Sequence, residues 1–456
     1  MPPWRRSRRR CKRLPRPDPP VAELSRLVRE AQANERIPSI SAAAVGNGEV
    51  VWQEALGLAG VEPDERATVD TQYRVGSITK TFTAAAVLQL RDAGELSLDD
   101  RLEQHLPDAD HGTLTLRRML AHVSGLQREM PGYVWETLDF PDRAGLVSGL
   151  ADAEQVLPPG ARWHYSNLAF ALLGEVVARR SGLEYEEYVS DRLLKPLGLS
   201  RTSFDPTSPA ANAYFVEPYS DRVWPGRNVI KGAFAAAGSL WSTTADLAHW
   251  GVFLVSGAEG VLRRETVEEM RGFQSMADPE DWKLGWGLGL MLLREGDRIL
   301  VGHSGAMPGF LSCLAISPKE RSGAIVLVNS GAGVKIDELT RKLAVVAAEA
   351  YPPEPGPWRP VEGVPHELEP LLGRWWSEGA EFVIRYRNGK LEARAAEAPA
   401  TVPPAVFEPD GSDRFRGVSG PEQGEQLEVV RGSDGSVEKL YWATYPMTRV
   451  PRSFSG

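Results

Sequence analysis

Ser77 and Lys80 stand three residues apart in the stretch Gly76-Ser77-Ile78-Thr79-Lys80, at the predicted start of a helix. Residues i and i+3 share a helix face, so the Lys80 ammonium can reach the Ser77 hydroxyl. A serine hydroxyl is a weak nucleophile until a neighbouring base or cation activates it, and a helix N-terminus favours negative charge. The pair therefore indicates a nucleophilic serine. A capping serine beside a solvated lysine would have the same spacing.

A second group lies in the middle of the chain, where Tyr165 and Asn167 precede an alanine-rich helical stretch. Side chains two apart in extended backbone point the same way, so both can face one cleft. Tyr165 could take the Ser77 proton if a cation such as Lys80 favours its phenolate. The alternative is a packed tyrosine followed by a residue that caps the helix, Ser166 or Asn167.

The third group is His303-Ser304-Gly305-Ala306, which we place at a strand end. Small residues after His303 would let a substrate lie against the strand edge, and the backbone N–H of Ala306 could supply half of an oxyanion hole. A simple glycine turn would have the same composition.

The elements that must position these residues can be read from periodicity and turn signals. An antiparallel meander followed by a helix is predicted near the end of this region. Helices are predicted over 21–34, 77–93, 116–121, 166–180, 185–195, 244–256, 264–273 and 336–350, and strands over 39–45, 49–55, 285–293, 298–302, 310–316 and 323–329. Strands at both ends predict an α/β domain with a single antiparallel sheet and a mostly helical second lobe.

A chain of 456 residues is longer than one hydrophobic core usually supports, so we expect more than one domain. We predict a disordered basic tail over 1–20, an α/β domain over 21–350, a Pro-rich linker over 351–367 and a small all-β barrel over 368–456. The barrel prediction depends on short strands with polar turns, among them the hairpin signal Asn388-Gly389.

Composition excludes several classes of function. A net charge of -9 and a pI near 5.5 argue against nucleic acid as a partner. No apolar run reaches the about 18 residues of a membrane span, and no apolar run follows the arginine pairs of the tail. A cytoplasmic protein without a membrane partner is therefore expected.

Cys11 and Cys313 are the only cysteines, which makes a structural disulfide improbable. Scattered histidines predict no metal site and no cofactor. The oligomeric state is left open.

The order of the three groups resembles the penicillin-recognising serine hydrolases, the group of class C β-lactamases, D-alanyl-D-alanine carboxypeptidases and esterases. In that group Ser-x-x-Lys opens a helix after the first strands, Tyr-x-Asn lies on a mid-chain loop, and His-x-Gly lies on a late strand. Further matches lie at 116–126, which contains His122, at 236–247 and at 285–289. The resemblance spans about residues 21–350. The predicted barrel loosely resembles the lipocalin-like appendage of some members. No Gly-x-Ser-x-Gly of an α/β-hydrolase is present.

The resemblance implies that Ser77 forms an acyl-enzyme while Lys80 and Tyr165 handle its proton. It implies the substrate contacts Asn167, His303, Ser304 and Gly305, and an oxyanion hole from the N–H groups of Ser77 and Ala306. His122 is expected to shape a turn near the cleft.

One departure from the family pattern concerns the substrate. Class C β-lactamases have Lys-Thr-Gly at the position of His303, and a neutral histidine would anchor a β-lactam carboxylate poorly. We therefore expect a serine hydrolase or acyl transferase of the esterase or D-amino-acid peptidase type, acting on a small ester, amide or peptide. The alternatives are a β-lactamase, a peptide-cyclising thioesterase and a non-catalytic sensor that binds a β-lactam or peptide.

Overall fold

The computed structural model describes residues 19–227, 232–331, 333–354, 357–360, 363–399, 402–420 and 422–451. The chain divides into two units on either side of the bond between residues 354 and 355. The predicted basic tail, with Cys11, lies outside the described residues as far as residue 18. Pro19 and Pro20 belong to the first helix, which therefore begins two residues earlier than predicted.

A nine-stranded antiparallel sheet forms the centre of the first unit, in the order β3-β2-β1-β13-β12-β11-β10-β9-β8. The predicted pairing of N-terminal and C-terminal strands is confirmed, since Ile40 of β1 lies opposite Val328 of β13. Two short two-stranded sheets, β4-β7 and β5-β6, lie apart from it. The strands of this unit are β1 Ser39–Gly46, β2 Glu49–Gly60, β3 Glu65–Arg66, β4 Tyr73–Arg74, β5 Tyr214–Val216, β6 Val223–Pro225, β7 Trp241–Ser242, β8 Ser275–Met276, β9 Leu284–Trp286, β10 Met291–Glu295, β11 Arg298–Met307, β12 Phe310–Ser317 and β13 Ser322–Val328.

Both faces of the sheet are covered, which explains why β1 and β13, near its centre, are buried along their whole length. Ala42 and Ala44 of β1 pack on the side of helices α1 and α11, while Ala43 and Val45 pack on the side of the other helices. The helices are α1 Pro19–Asn34, α2 Thr79–Asp92, α3 Leu116–Leu120, α4 Val134–Thr137, α5 Arg143–Ser148, α6 Asn167–Ser181, α7 Tyr185–Val189, α8 Ala235–Gly238, α9 Thr244–Ser256, α10 Arg264–Met270 and α11 Ile336–Ala350. None of those in the described ranges has the length and hydropathy needed to span a bilayer.

Several predicted boundaries were wrong, among them the end of β2, which continues to Gly60, five residues past its predicted end. Strand β11 continues to Met307, five residues past its predicted end, because it keeps pairing with β12 as far as the Met307–Phe310 pair. The single strand predicted over 285–293 is two strands, β9 and β10, joined by a turn in which Gly289 has a φ of +72°. The helix predicted to reach residue 273 ends at Met270.

The second unit is an eight-stranded antiparallel sheet in sequence order, from β14 to β21. Its first and last strands meet through two backbone hydrogen bonds between Trp376 and Thr448, of 2.8 and 2.9 Å, so the barrel is nearly closed. The predicted hairpin is present, with Asn388 and Gly389 at positive φ between two strands. The strands are β14 Gly373–Ser377, β15 Ala380–Arg387, β16 Lys390–Ala395, β17 Ala405–Pro409, β18 Arg414–Ser419, β19 Gln426–Arg431, β20 Val437–Trp442 and β21 Tyr445–Met447.

Candidate active site

Ser77 lies in a single 3-10 turn, Gly76–Ile78, that leads directly into α2. Its side chain is partly exposed, whereas its neighbours on either side are buried. Lys80 is completely buried on the first turn of α2, and its Nζ lies 3.1 Å from Ser77 Oγ and 2.6 Å from the carbonyl oxygen of Ala237. Burial lowers the pKa of Lys80 well below its ordinary value, even though the Glu129 carboxylate opposes that shift.

Tyr165 approaches Ser77 from the loop before α6. Its hydroxyl interacts with the Ser77 side chain, and its ring centre lies 5.0 Å from Lys80 Nζ and 4.8 Å from the Arg128 guanidinium carbon. Burial raises the pKa of Tyr165 despite the opposing effects of Ser77 and Arg128. This environment favours the neutral phenol, so the cation-stabilised phenolate that a proton-accepting Tyr165 would need is not favoured here.

His122 supports the loop that carries Tyr165. Its ring stacks on the Tyr165 ring with centres 4.3 Å apart and planes 26° apart. Its Nδ1 accepts the N–H of Ser166 at 3.1 Å, and its carbonyl oxygen accepts the N–H of His164 at 2.7 Å. Burial lowers the pKa of His122, which keeps the ring neutral so that Nδ1 can accept. His122 thus fixes the backbone on both sides of Tyr165.

Strand β11 lies with one face against the Ser77 turn. A Cβ added to Gly305 would lie 2.1 Å from the carbonyl oxygen of Val75 and 3.0 Å from the backbone nitrogen of Ser77, so only glycine allows this approach. One added to Gly76 would lie 2.9 Å from the backbone nitrogen of Ala306. The backbone nitrogens of Ser77 and Ala306 therefore belong to two segments in direct contact.

His303 shares the face of Gly305, while Ser304 does not, because successive side chains of a strand point to opposite faces. The His303 ring centre is 6.2 Å from that of Tyr165, and burial lowers the pKa of His303 to about 3. The Ser304 hydroxyl lies 3.8 Å from the sulfur of Met291, in a cavity also lined by Cys313 and by Asp337 of α11. The Ser304 side chain therefore contacts Met291 rather than Ser77, in a cavity whose lining also includes His303.

Asn167 is the first residue of α6, and the N-cap is Ser166, whose Oγ accepts the N–H of Ala169 at 3.0 Å. The Asn167 amide nitrogen donates to Glu129 Oε1 at 2.7 Å. Two buried oxygens of this pair, Asn167 Oδ1 and Glu129 Oε2, have no hydrogen-bond partner within the part of the chain that the structure describes.

Arg128 and Glu129 were not identified from the sequence. Two adjacent opposite charges on a loop normally indicate a solvated segment. In the structure the two side chains form an ion pair, with Arg128 Nε 3.3 Å from Glu129 Oε1. The only available signal was their position two and three residues after the end of the matched stretch 116–126.

A serine held between a buried amine and a partly buried phenol, beside a sheet edge and below a helical lobe, is typical of the penicillin-recognising serine hydrolases. A family model described as Beta-lactamase matches residues 24–349. The chain belongs to this family of serine hydrolases. A second model, described as a domain of unknown function (DUF7586), matches residues 364–449.

Individual similarities extend over different lengths of chain. Beta-lactamase-like protein 2 of Dictyostelium discoideum is 28% identical over 64% of this chain and 56% of its own length, so the chain spans little more than half of that relative. The crystal structure of SurE has a TM-score of 0.63 and 26% identity, covering 94% of this chain and 99% of that one. A D-stereospecific amidohydrolase from Streptomyces sp. has a TM-score of 0.60 and 28% identity, covering 70% of this chain and 97% of that one.

Proposed function

We propose that the protein hydrolyses small amides or esters of D-amino acids through an acyl-enzyme on Ser77. The observation that carries this proposal is the position of Ser77 Oγ, which lies 3.1 Å from Lys80 Nζ and beside the Tyr165 side chain. Covalent catalysis needs a nucleophile that has a base within hydrogen-bond reach. It also needs a further group that orients this pair.

Lys80 is the better candidate for the general base. Burial favours its neutral amine, which can accept a proton, while burial also favours the neutral phenol of Tyr165, which can donate one. In the acylation step the Ser77 proton passes to Lys80 Nζ as the bond from Oγ to the substrate carbonyl carbon forms. The negative oxygen would be held by the N–H groups of Ser77 and Ala306.

The leaving group departs with a proton. When the bond to the leaving nitrogen or oxygen breaks, the Tyr165 hydroxyl gives its proton to that atom and regains one from the Lys80 ammonium. A water molecule then attacks the acyl carbon and its proton passes to Lys80 Nζ. As the bond from the acyl carbon to Ser77 Oγ breaks, the Lys80 ammonium returns that proton to Ser77 Oγ, which restores the serine hydroxyl and the neutral amine. The products are a carboxylic acid and an amine or alcohol.

Glu129 supports a substrate with a free α-amino group. Its Oε2 atom is buried without a partner among the described residues, and a buried unpaired carboxylate oxygen is costly. An ammonium bound there would be stabilised by a charge-assisted hydrogen bond. The similarity to the Streptomyces protein, a D-stereospecific amidohydrolase, supports the same substrate class. Neutral His303 provides no cation for a β-lactam carboxylate, so we do not favour a β-lactamase.

The test uses D-phenylalanine p-nitroanilide, its L-enantiomer and its N-acetyl derivative with the full-length protein. We expect the D-amide to be hydrolysed fastest. Ser77→Ala should lower kcat by about 10³-fold or more, since the covalent route is lost. Mass spectrometry of the intact protein should detect an acyl adduct that Ser77→Ala lacks.

Two outcomes would contradict different parts of the proposal. Equal hydrolysis by wild type and Ser77→Ala would refute the acyl-enzyme on Ser77. Hydrolysis of short-chain p-nitrophenyl esters, but not of any amino-acid derivative, would leave the nucleophile in place and refute the substrate class.

A further inference from the structure

A cavity of about 360 Å³ lies at one end of the C-terminal barrel. Its lining comes from the β14–β15 turn, the β18–β19 loop and the β20–β21 turn. Alternate turns of an antiparallel meander lie at the same end of the sheet, which is why these three meet. Eight-stranded barrels are just wide enough to hold one small ligand, and barrel mouths are frequent ligand sites. We call this cavity the barrel pocket.

Aromatic side chains form one wall of the barrel pocket. Trp442 packs edge-on against Phe382 and Phe407, with ring centres 5.8 and 5.3 Å away, and Tyr445 is 60% exposed. The Trp442 indole N–H is buried and has no acceptor among the described residues. Buried indole N–H groups usually have a partner. The wall therefore combines π-systems with an unpaired donor.

Two carboxylates complete the lining. Glu378 and Glu422 are exposed, and neither side chain forms an ion pair or hydrogen bond with another residue that the structure describes. None of the described lining residues is basic. The pocket therefore places uncompensated negative charge beside an aromatic wall.

We propose that the barrel pocket binds a small organic cation, an ammonium group carried on an apolar body. A cation over a tryptophan or tyrosine face is attracted by the ring quadrupole. The two carboxylates also attract the cation, and contact of the apolar body with Phe382 and Met447 further stabilises the complex. An anion would be repelled, and a neutral analogue would gain only apolar burial. This proposal does not depend on the chemistry at Ser77.

The test is isothermal titration of the full-length protein with benzyltrimethylammonium. Benzyl alcohol and benzoate, which carry the same ring with zero and negative charge, are the matched probes. We expect saturable binding of the cation, at least about fivefold tighter than benzyl alcohol, because a cation–π contact contributes about 1 kcal/mol at an exposed site. The titration is repeated with Glu129→Gln, so that a cation held near Ser77 is distinguished from one held in the barrel.

The variant that decides the question is Glu378→Gln combined with Glu422→Gln, both exposed positions where folding is not at risk. We expect it to weaken binding of the cation about tenfold, while Glu438→Gln, at the start of β20 and away from the pocket, leaves it unchanged. Equal binding of benzyl alcohol, or unchanged binding in the double variant, would overturn the proposal. So would loss of binding in Glu129→Gln alone.

Discussion

The Ser77 site and the barrel pocket both combine aromatic rings with titratable side chains, but they differ in how far those side chains are removed from solvent. At Ser77, burial lowers the pKa values of Lys80 and His303 and raises that of Tyr165, so that all three side chains favour their neutral forms. In the barrel pocket, Glu378 and Glu422 remain exposed. Desolvation prepares groups to exchange protons, whereas hydrated charges attract a partner of opposite charge. The first arrangement suits chemistry and the second suits binding.

The largest expected effect concerns the buried amine. Lys80→Met should lower kcat for the D-amide by about 10³-fold, which is within the range for loss of a general base. The melting temperature should change little, because removal of the buried amine offsets the loss of its hydrogen bond to the Ala237 carbonyl oxygen. Lys195→Met, at an exposed lysine, is the control. Residual activity near wild type would remove Lys80 from the proposed proton route.

The same amine should govern the pH dependence. Since Lys80 must be unprotonated to act as base, kcat/KM should rise with pH through its lowered pKa and then level off below its ordinary value of 10.5. The raised pKa of Tyr165 keeps the phenol protonated across that plateau. A rising limb that survives in Lys80→Met would assign the titration to another group. His303 should not supply it, because its pKa is about 3.

A smaller effect is expected at Glu129. Glu129→Gln should raise KM for D-phenylalanine p-nitroanilide by about 10-fold to 100-fold, since a hydrogen bond to a charged group contributes about 1.5–3 kcal/mol. The N-acetyl derivative, which lacks the ammonium, should be unaffected. Glu136→Gln, at an exposed position of the following segment, serves as the control. An equal loss for both substrates would assign Glu129 a structural role through Asn167.

Ionic strength should affect binding in the barrel pocket and hydrolysis at Ser77 to different extents. Raising ionic strength should weaken binding of benzyltrimethylammonium severalfold, because exposed charges are screened over a Debye length of about 10 Å at 0.1 M salt. Hydrolysis of a neutral ester should change little, since Lys80 is buried. An equal response of cation binding and ester hydrolysis to ionic strength would contradict the proposed difference between exposed charges in the barrel pocket and buried groups at Ser77.

The smallest effect is expected for Ser304→Ala. Its hydroxyl faces Met291 rather than Ser77, so kcat/KM should remain within about twofold of wild type, in the range of substitutions that lose only a weak contact. A large loss of activity would restore Ser304 to the substrate-binding face.

Much of the fold could be predicted from local patterns. The turn residues Asn47 and Gly48 both adopt positive φ between β1 and β2, and α11 has the bounds that its apolar periodicity indicated. The end of β11 could not be predicted, because Gly302 and Gly305 resemble turn residues when read along the chain. They are glycines because neighbouring backbone lies within 2.0 and 2.1 Å of where a Cβ would be.

The site was partly accessible to the same reasoning. Spacing brought Ser77 and Lys80 together, the loop before α6 suggested Tyr165, and the family resemblance joined the three, although their roles stay predictions until they are measured. Glu129 was missed because its importance depends on burial and on the Asn167 amide, and neither is encoded in local spacing. The direction of the Ser304 side chain depended on strand β11 extending past residue 302.

The pairing of β1 with β13 also affects how a growing polypeptide can reach its final form. While the ribosome is still adding the middle of the chain, the β1–β2 hairpin has emerged with an apolar edge that awaits residues 322–328. At typical rates of synthesis this wait is on the order of tens of seconds. Ser77 likewise has no strand beside it until β11 has been made. The nascent protein should therefore stay inactive, and prone to aggregate or to need a chaperone, until the last strand of the sheet has left the exit tunnel.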